Sequence, residues 1–521
     1  MNRIARIRSL STLALLLAAC AVSHPPAAAK PEATVISVVP AATPPGPDRT
    51  HVPPKGPPPQ LRLPAQTHFT LANGLRVRLV ESHRLPIVAL NLVSNAGAAH
   101  DPADRPGLAS MTAEVMTEGT RGRTATQISD EIGFIGGSLD ASAGFDAASL
   151  VGASLSRELP KLADIFADVA MNPTFPQRDF ARVQDERLVS LLQQRDQPPA
   201  VAAKAFAGVF WGKHPYGHWA GGTEEAVKAM KPAELARFHA RYWTPANSEL
   251  IVVGDTTEIE LRRVLGPTLG AWKPGKAQPL PAPAAPAGAL RTVLVTKPNA
   301  PQSYLLLGSP GLPRSSPDYV AARVAFEVLG GGMSSRLFRN LREAKGYTYG
   351  IGAREEARKL GGTSVIAGSV KAQQTGEAMK DLLAEVGKLR DDPVPAAELQ
   401  DAKDAIVLGL PAEFSTVGGI AGKLAETVVH ALPDDYWNRF ANEVRAVTAE
   451  DVQRVARRYL DPARLTIVMV GAPEVVTPQL DGIPIGPIEV RPPPAAGPGP
   501  KPAKAAPAAK PAAAKAAAGS K

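Results

Sequence analysis

The sequence predicts an α+β protein of two homologous domains, each a largely antiparallel sheet with helices packed on one face. Three observations predict it. The chain repeats itself: residues 235–254 match residues 452–471 at a constant offset of 217, placing Arg241-Tyr242 on Arg458-Tyr459, Pro245 on Pro462 and Gly254 on Gly471. Each copy is a helical pattern that stops before the proline, then a β-rich apolar run closed by glycine. Asn73-Gly74 sits between the segment 69–72 and an alternation of Leu75, Val77 and Leu79 with Arg76 and Arg78, the signature of a hairpin. Leu159, Leu162, Ile165, Phe166 and Val169 recur at helical spacing around Pro160 and before Pro173.

Taken in order, the chain divides as follows. Arg3, Arg6 and Arg8 precede a thirteen-residue run, 10–22, that is apolar except for Ser11 and Thr12. It is too short to span a bilayer as a helix and has the order of an export signal, assigned to 1–19. The run contains Leu17-Ala18-Ala19-Cys20, which resembles the bacterial lipobox, where cleavage before the cysteine is followed by acylation. Cys20 is the only cysteine of the 521 residues, and several acyl chains on it would give a stable membrane anchor. Ala21 after it, where retained enterobacterial lipoproteins tend to carry Asp, favours the outer membrane. Residues 20–62 form a proline-rich spacer. The first domain is set at 63–272, a hinge with five prolines at 273–288, the second domain at 289–475, and a Pro/Ala/Lys-rich disordered tail at 476–521.

One cysteine excludes an intrachain disulfide and a thiolate metal cluster. The formal charge of +9 points to nucleic acid only until it is located. Residues 1–62 carry +5 and residues 490–521 carry +6, leaving −2 on the body between them. A nucleic-acid footprint needs its cations clustered on the folded face, so that class is set aside.

A series of motifs then makes the chain resemble the pitrilysin, insulinase and mitochondrial processing peptidase family of zinc metallopeptidases over residues 65–475. In the first repeat these are Gly107-Leu108-Ala109, Glu118-Gly119-Thr120, Ile135-Gly136-Gly137-Ser138-Leu139-Asp140, Asn172-Pro173-Thr174-Phe175 and His214-Pro215-Tyr216-Gly217. In the second they are the run from Leu329 through Gly330-Gly331-Gly332 to Leu337 and the run from Leu341 to Tyr349. Their order and spacing carry the resemblance; no one of them does alone.

The resemblance implies an inverted zinc motif, His-x-x-Glu-His, on the helix beginning at Gly107. Two imidazoles one turn apart would hold zinc, the Glu would take a proton from bound water, and a distant carboxylate would be the third ligand. Carried onto this chain, those positions are Ser110, Ala113 and Glu114, and the third falls within Leu188-Val189-Ser190-Leu191-Leu192. The nearest acids there are Asp185 and Glu186. No metal is therefore expected on this chain. Neither His214 with His218, separated by Pro215 and Gly217, nor His100 beside Asp101 is expected to rebuild a site; the first pair reads as a turn with ordinary hydrogen bonds.

The second repeat retains what the resemblance implies for the other side of such a site: an arginine and a tyrosine that bind peptide and steady the oxyanion, at Arg342 and Tyr349, with Tyr347 between. The family includes two-chain peptidases in which one subunit carries zinc and the other the Arg/Tyr pair, each forming half of a clam-shell chamber. The expectation is a lipid-anchored, periplasm-facing, non-zinc subunit in the bacterial envelope. Its partners would be a zinc-bearing homologous subunit and a peptide substrate, with no cofactor bound by this chain. Two rivals are an inactive peptide-binding or scaffold lipoprotein and an active protease with an improvised metal site.

Overall fold

The computed structural model describes residue 50 and residues 63–280 and 283–492. The export signal, Cys20, nearly all of the spacer and the basic end from 493 onward lie outside the described residues. Among the described residues twelve strands form two six-stranded mixed sheets. The first contains β1 (Gln66–Thr70), β2 (Arg76–Glu81), β3 (Ile87–Ser94), β4 (Ser138–Ala143), β5 (Ala148–Leu155) and β6 (Ser248–Gly254), in the order β1-β2-β6-β3-β5-β4. The second contains β7 (Arg291–Thr296), β8 (Gln302–Pro310), β9 (Gly350–Arg358), β10 (Gly361–Lys371), β11 (Thr466–Gly471) and β12 (Ile488–Arg491), in the order β12-β7-β11-β8-β10-β9.

The repeat read from the sequence is the central part of each sheet. Helices Pro232–Tyr242 and Ala449–Tyr459 each lead into a central strand, β6 and β11, every residue of which is buried. These strands pair parallel to β2 and β7 and antiparallel to β3 and β8. The expected hairpin joins β1 to β2 antiparallel, and the expected helix runs Leu159–Met171 with all five marker side chains fully buried.

The continuous apolar reading of β6 and β11 has a consequence that alternation would not have: both faces of each sheet must be covered. One face takes helices of its own repeat. The other takes a helix lent by the other repeat. Ala421 and Leu424 on helix Val417–Val429 pack against Val80, Val93, Ile251 and Val253 of the first sheet. Reciprocally, Val201, Ala202 and Phe206 on helix Pro198–Phe206 pack against Val293, Val295, Leu306, Val468 and Val470 of the second. The lent helices lie about one repeat length apart, so the two halves are covered by equivalent elements. Among the described residues no single helix is long and apolar enough to cross a membrane.

Polar contacts fix the same junction. Asp146 accepts from the Lys359 main-chain N–H (2.9 Å) and from the Tyr216 hydroxyl, which accepts from the Leu360 N–H (3.1 Å). Tyr216 of the His-Pro-Tyr-Gly motif is fully buried and thus fastens the β9–β10 turn of the second repeat. The buried Arg78 donates to Glu249 (3.0 Å) within its sheet and to Asp434 (2.6 Å) across the repeats.

The boundary at 475 is corrected. Past it the chain buries Val476, Leu480, Ile483 and Ile485 and adds β12 parallel to β7. Gly482, Pro484 and Gly486 interrupt these apolar residues, so no periodic pattern marks them. The hinge segment is pinned on its first-domain side, where the Gln278 N–H donates to Asn247 (2.9 Å).

Candidate functional site

The helix Leu108–Val115 begins at Gly107, whose φ of +92° is open to glycine and whose added Cβ would lie 2.7 Å from Gly222. That contact brings the segment Ala220-Gly221-Gly222 against the helix start. Asp101, whose side chain is inaccessible, accepts from the N–H groups of Gly107 (2.7 Å) and Ala109 (2.8 Å), two donors the first turn leaves unpaired. His218 Nε2 reaches the same carboxylate at 3.2 Å. Burial raises the Asp101 pKa, which the hydrogen bonds from these groups oppose.

Ser110, Ala113 and Glu114 occupy the helix as the resemblance placed them, and what faces them is an arginine. Arg187, on helix Gln177–Gln194, donates through Nη1 to Ser110 Oγ (2.9 Å) and to the Gly221 carbonyl (3.0 Å), and through Nη2 to Glu114. Ser110 in turn donates to the Ala220 carbonyl (2.9 Å). Ala113 is fully buried in the first core. Five residues earlier on the same helix, Arg182 binds Glu118 and Glu186 (3.0 Å). Zinc does not fit this donor set. Imidazoles are missing at both helix positions, the acid–base Glu is an alanine, and a guanidinium already spans the two polar positions. Among the described residues no cluster of three His, Cys, Asp or Glu side chains could hold a metal ion.

His214 and His100 behave as structural groups. His214 Nδ1 accepts from the Tyr216 N–H (3.1 Å), and burial lowers its pKa. His100 packs on the Tyr242 ring at 4.5 Å, and burial lowers its pKa to about 4, so it is neutral at pH 7.

In the second repeat the helical turn Phe338–Ala344 is π-wound, a geometry that re-aims side chains and recurs at functional sites. Gly346, at φ +61°, reverses the chain, its N–H donating to the Arg342 carbonyl (3.1 Å) and that of Tyr347 to the Leu341 carbonyl (2.8 Å). The return brings Tyr349 back beside Arg342, whose Nη1 donates to the Tyr349 carbonyl. This turn is the physical content of the Arg-Glu-x-x-Gly-x-x-Tyr spacing. Arg336 and Arg339 on the same stretch are held by Glu398 at 2.9–3.0 Å; Arg342 has no carboxylate partner among the described residues. Tyr349 is 82% exposed, whereas Tyr347 leans into the second core.

A family model for insulinase, peptidase family M16, matches residues 76–218, and one for the peptidase M16 inactive domain matches residues 229–406. The chain belongs to the insulinase family. It is 29% identical over 354 residues to an uncharacterized zinc protease of Mycobacterium leprae, covering 66% of this chain and 78% of that protein. With the uncharacterized zinc protease YmxG of Bacillus subtilis it shares 23% over 392 residues, covering 75% and 94%. A peptidase M16 inactive domain from Pseudomonas fluorescens superposes with a TM-score of 0.73 at 26% identity, covering 78% of this chain and 98% of that one. A protease from Helicobacter pylori matches in fold with the same TM-score at 20% identity, covering 78% and 100%.

Within this insulinase-family chain sequence reasoning singled out Ser110, Ala113, Glu114, Arg342 and Tyr349, and it missed Arg187. The signal was available: Arg187 immediately precedes the run Leu188-Val189-Ser190-Leu191-Leu192 in which the third ligand was sought, on the same helix. A cavity of about 340 Å³ opens beside it, lined by Ser110, Arg187, Ser190, Gln194 and Trp219. Among the described residues no hydrogen bond or ion pair joins Arg342 or Tyr349 to this cluster.

Proposed function

We propose that this chain is the non-zinc subunit of a two-chain insulinase-type peptidase and that it supplies Arg342 and Tyr349 to the site of a zinc-bearing relative. Each chain would form half of the enclosing chamber. The single observation that carries the reading is the contrast in pairing. Arg187 is hydrogen-bonded to Ser110, Glu114 and Gly221, while the guanidinium of Arg342 and the phenol of Tyr349 stand exposed with no carboxylate engaged. A guanidinium and a phenol are suited to an anionic tetrahedral oxygen or a peptide carbonyl once a partner closes over them. In this reading the peptide is bound between the chains, the partner activates water, and this chain orients the attacked carbonyl. Acylation of Cys20 would hold the assembly at the outer membrane on its periplasmic side, with the spacer to 62 as the tether.

Purification of the full protein from its native membrane, followed by identification of what accompanies it, tests the assembly. The expected companion is a relative with an intact His-x-x-Glu-His motif. Recovery without any such relative would favour an inactive peptide-binding or scaffold lipoprotein.

A further inference from the structure

A cavity of about 780 Å³ lies at the start of the segment that links the repeats, and none of Ser110, Glu114, Arg187, Arg342 or Tyr349 lines it. Arg121 and three longer stretches build it: the turn 171–175 after helix Leu159–Met171, the later part of helix Pro232–Tyr242 with Trp243 and Thr244, and residues 271–278. Asn172-Pro173-Thr174-Phe175, a motif that the peptidase reading leaves without a role, contributes three of its residues to this wall. The apolar lining includes Phe175, Trp243 and Trp272, exposed by 2%, 1% and 7%.

Its charge is one-sided. Arg121, Arg241, Lys273 and Lys276 line the cavity, and no Asp or Glu does. None of the four has a carboxylate partner among the described residues; Arg241 Nε donates only to the Gln278 side chain (3.3 Å). In a body whose net charge is −2, four unmatched cations around one opening form a local field that favours anions. His239 adds no charge, because burial lowers its pKa to about 4 and its Nε2 engages the Ala170 carbonyl (3.0 Å).

A second, independent observation points the same way. Trp243 and Thr244 line the cavity, and their Nε1 and Oγ1 atoms are buried with no hydrogen-bond partner among the described residues. An indole N–H can only donate, and a buried donor left unpaired is costly. The complement is a ligand that brings an acceptor oxygen to the indole and several negative charges to the rim. The cations come from separate stretches of chain and no first turn of a helix lines the cavity, which suits charges spaced along an extended ligand better than one compact phosphate.

We propose that this cavity binds an acidic peptide segment, its carboxylates meeting Arg121, Arg241, Lys273 and Lys276 and one of its oxygens accepting from Trp243 Nε1–H. The site is separate from the Arg342/Tyr349 pair and does not rest on the pairing of subunits. The test uses the full protein, hexaglutamate, hexaglutamine and inorganic polyphosphate, with binding read by calorimetry. Hexaglutamate binds, and hexaglutamine binds at least about tenfold more weakly. Lys273→Glu/Lys276→Glu, two exposed positions that leave the circular dichroism unchanged, weakens hexaglutamate at least about tenfold. Raising salt from about 0.05 to about 0.5 M weakens it further. Trp243→Phe weakens it at least about threefold if folding is retained. Absence of hexaglutamate binding overturns the proposal. So does binding that ignores the charge reversal, which would place the anion on the basic ends. Tighter binding of polyphosphate than of hexaglutamate, lost with the same reversal, would assign the cavity to phosphate polymers instead.

Discussion

The motif helix of the first repeat and the Arg342–Tyr349 turn of the second hold their polar side chains in opposite ways. In the first, the positions where the family keeps zinc chemistry are tied into the fold: Ser110, Glu114 and the Gly221 carbonyl share one guanidinium, and Ala113 is core. In the second, Arg336 and Arg339 are tied to Glu398 while Arg342, one turn on, is left facing out beside Tyr349. The difference separates side chains committed to the fold from one left open to a further contact. A side chain whose hydrogen bonds are all made internally contributes stability; an exposed one such as Arg342, with a main-chain carbonyl as its hydrogen-bond acceptor and no carboxylate engaged, keeps donors available to something else.

The largest effect expected from this contrast concerns metal affinity. In a Ser110→His/Ala113→Glu/Glu114→His variant the Arg187 guanidinium still stands against any cation, and Coulomb repulsion at such range amounts to several tens-fold in affinity or more. Adding Arg187→Gln should therefore raise zinc affinity at least about tenfold, measured by competition with a chromophoric chelator. Equal affinity with and without Arg187 would break the claim that it fills the metal position.

Next comes a carboxylate without such a partner. Glu355 is partly buried with no cation at ion-pair distance among the described residues, accepting only from Ser364 Oγ (2.6 Å) and the Leu312 N–H (3.1 Å). Burial raises its pKa from 4.5 to about 7. Because the folded value lies above the unfolded one, the folded state keeps a proton that the unfolded state releases. Its contribution to stability is therefore complete below about pH 4.5 and is lost as pH rises through about 7. The loss amounts to about 3 kcal/mol. Glu355→Gln should remove that dependence, so the difference in urea-unfolding free energy between variant and parent shifts in favour of the variant from pH 5 to pH 8.

Arg187→Met should cost about 2 kcal/mol in the same assay at pH 7, since it strands hydrogen-bonded groups around a charge. Arg342→Met, at an exposed position, should change stability by less than about 0.5 kcal/mol. A cost for Arg342→Met as large as that for Arg187→Met would erase the distinction between the two regions.

Much of this architecture was legible in the sequence because it is written in local pattern. The offset of 217 residues, the Asn73-Gly74 hairpin and the spacing of Leu159 to Val169 each state a local geometry that the fold keeps. Ser110, Ala113 and Glu114 lie on one helix, and Arg342 lies on the turn that leads to Tyr349. What escaped depends on contacts between distant segments. The apolar runs of β6 and β11 show that both faces are buried, yet nothing in them says that the cover on the second face comes from the other repeat. Arg187 reads as one more charge on an amphipathic helix until the 73 residues separating it from Glu114 are folded together. The last strand, β12, was taken for tail because glycine and proline break the apolar spacing before it.

The central claim is that this chain lends Arg342 and Tyr349 to a zinc-bearing relative, and reconstituted peptide hydrolysis tests it most directly. With the two purified chains assayed apart, together, and together with Arg342→Ala, activity should be low for each alone and high for the pair. The substitution should lower it at least about tenfold through kcat/KM without loss of association. Robust zinc-dependent cleavage by this chain alone, or full activity of the pair carrying Arg342→Ala, would contradict the account.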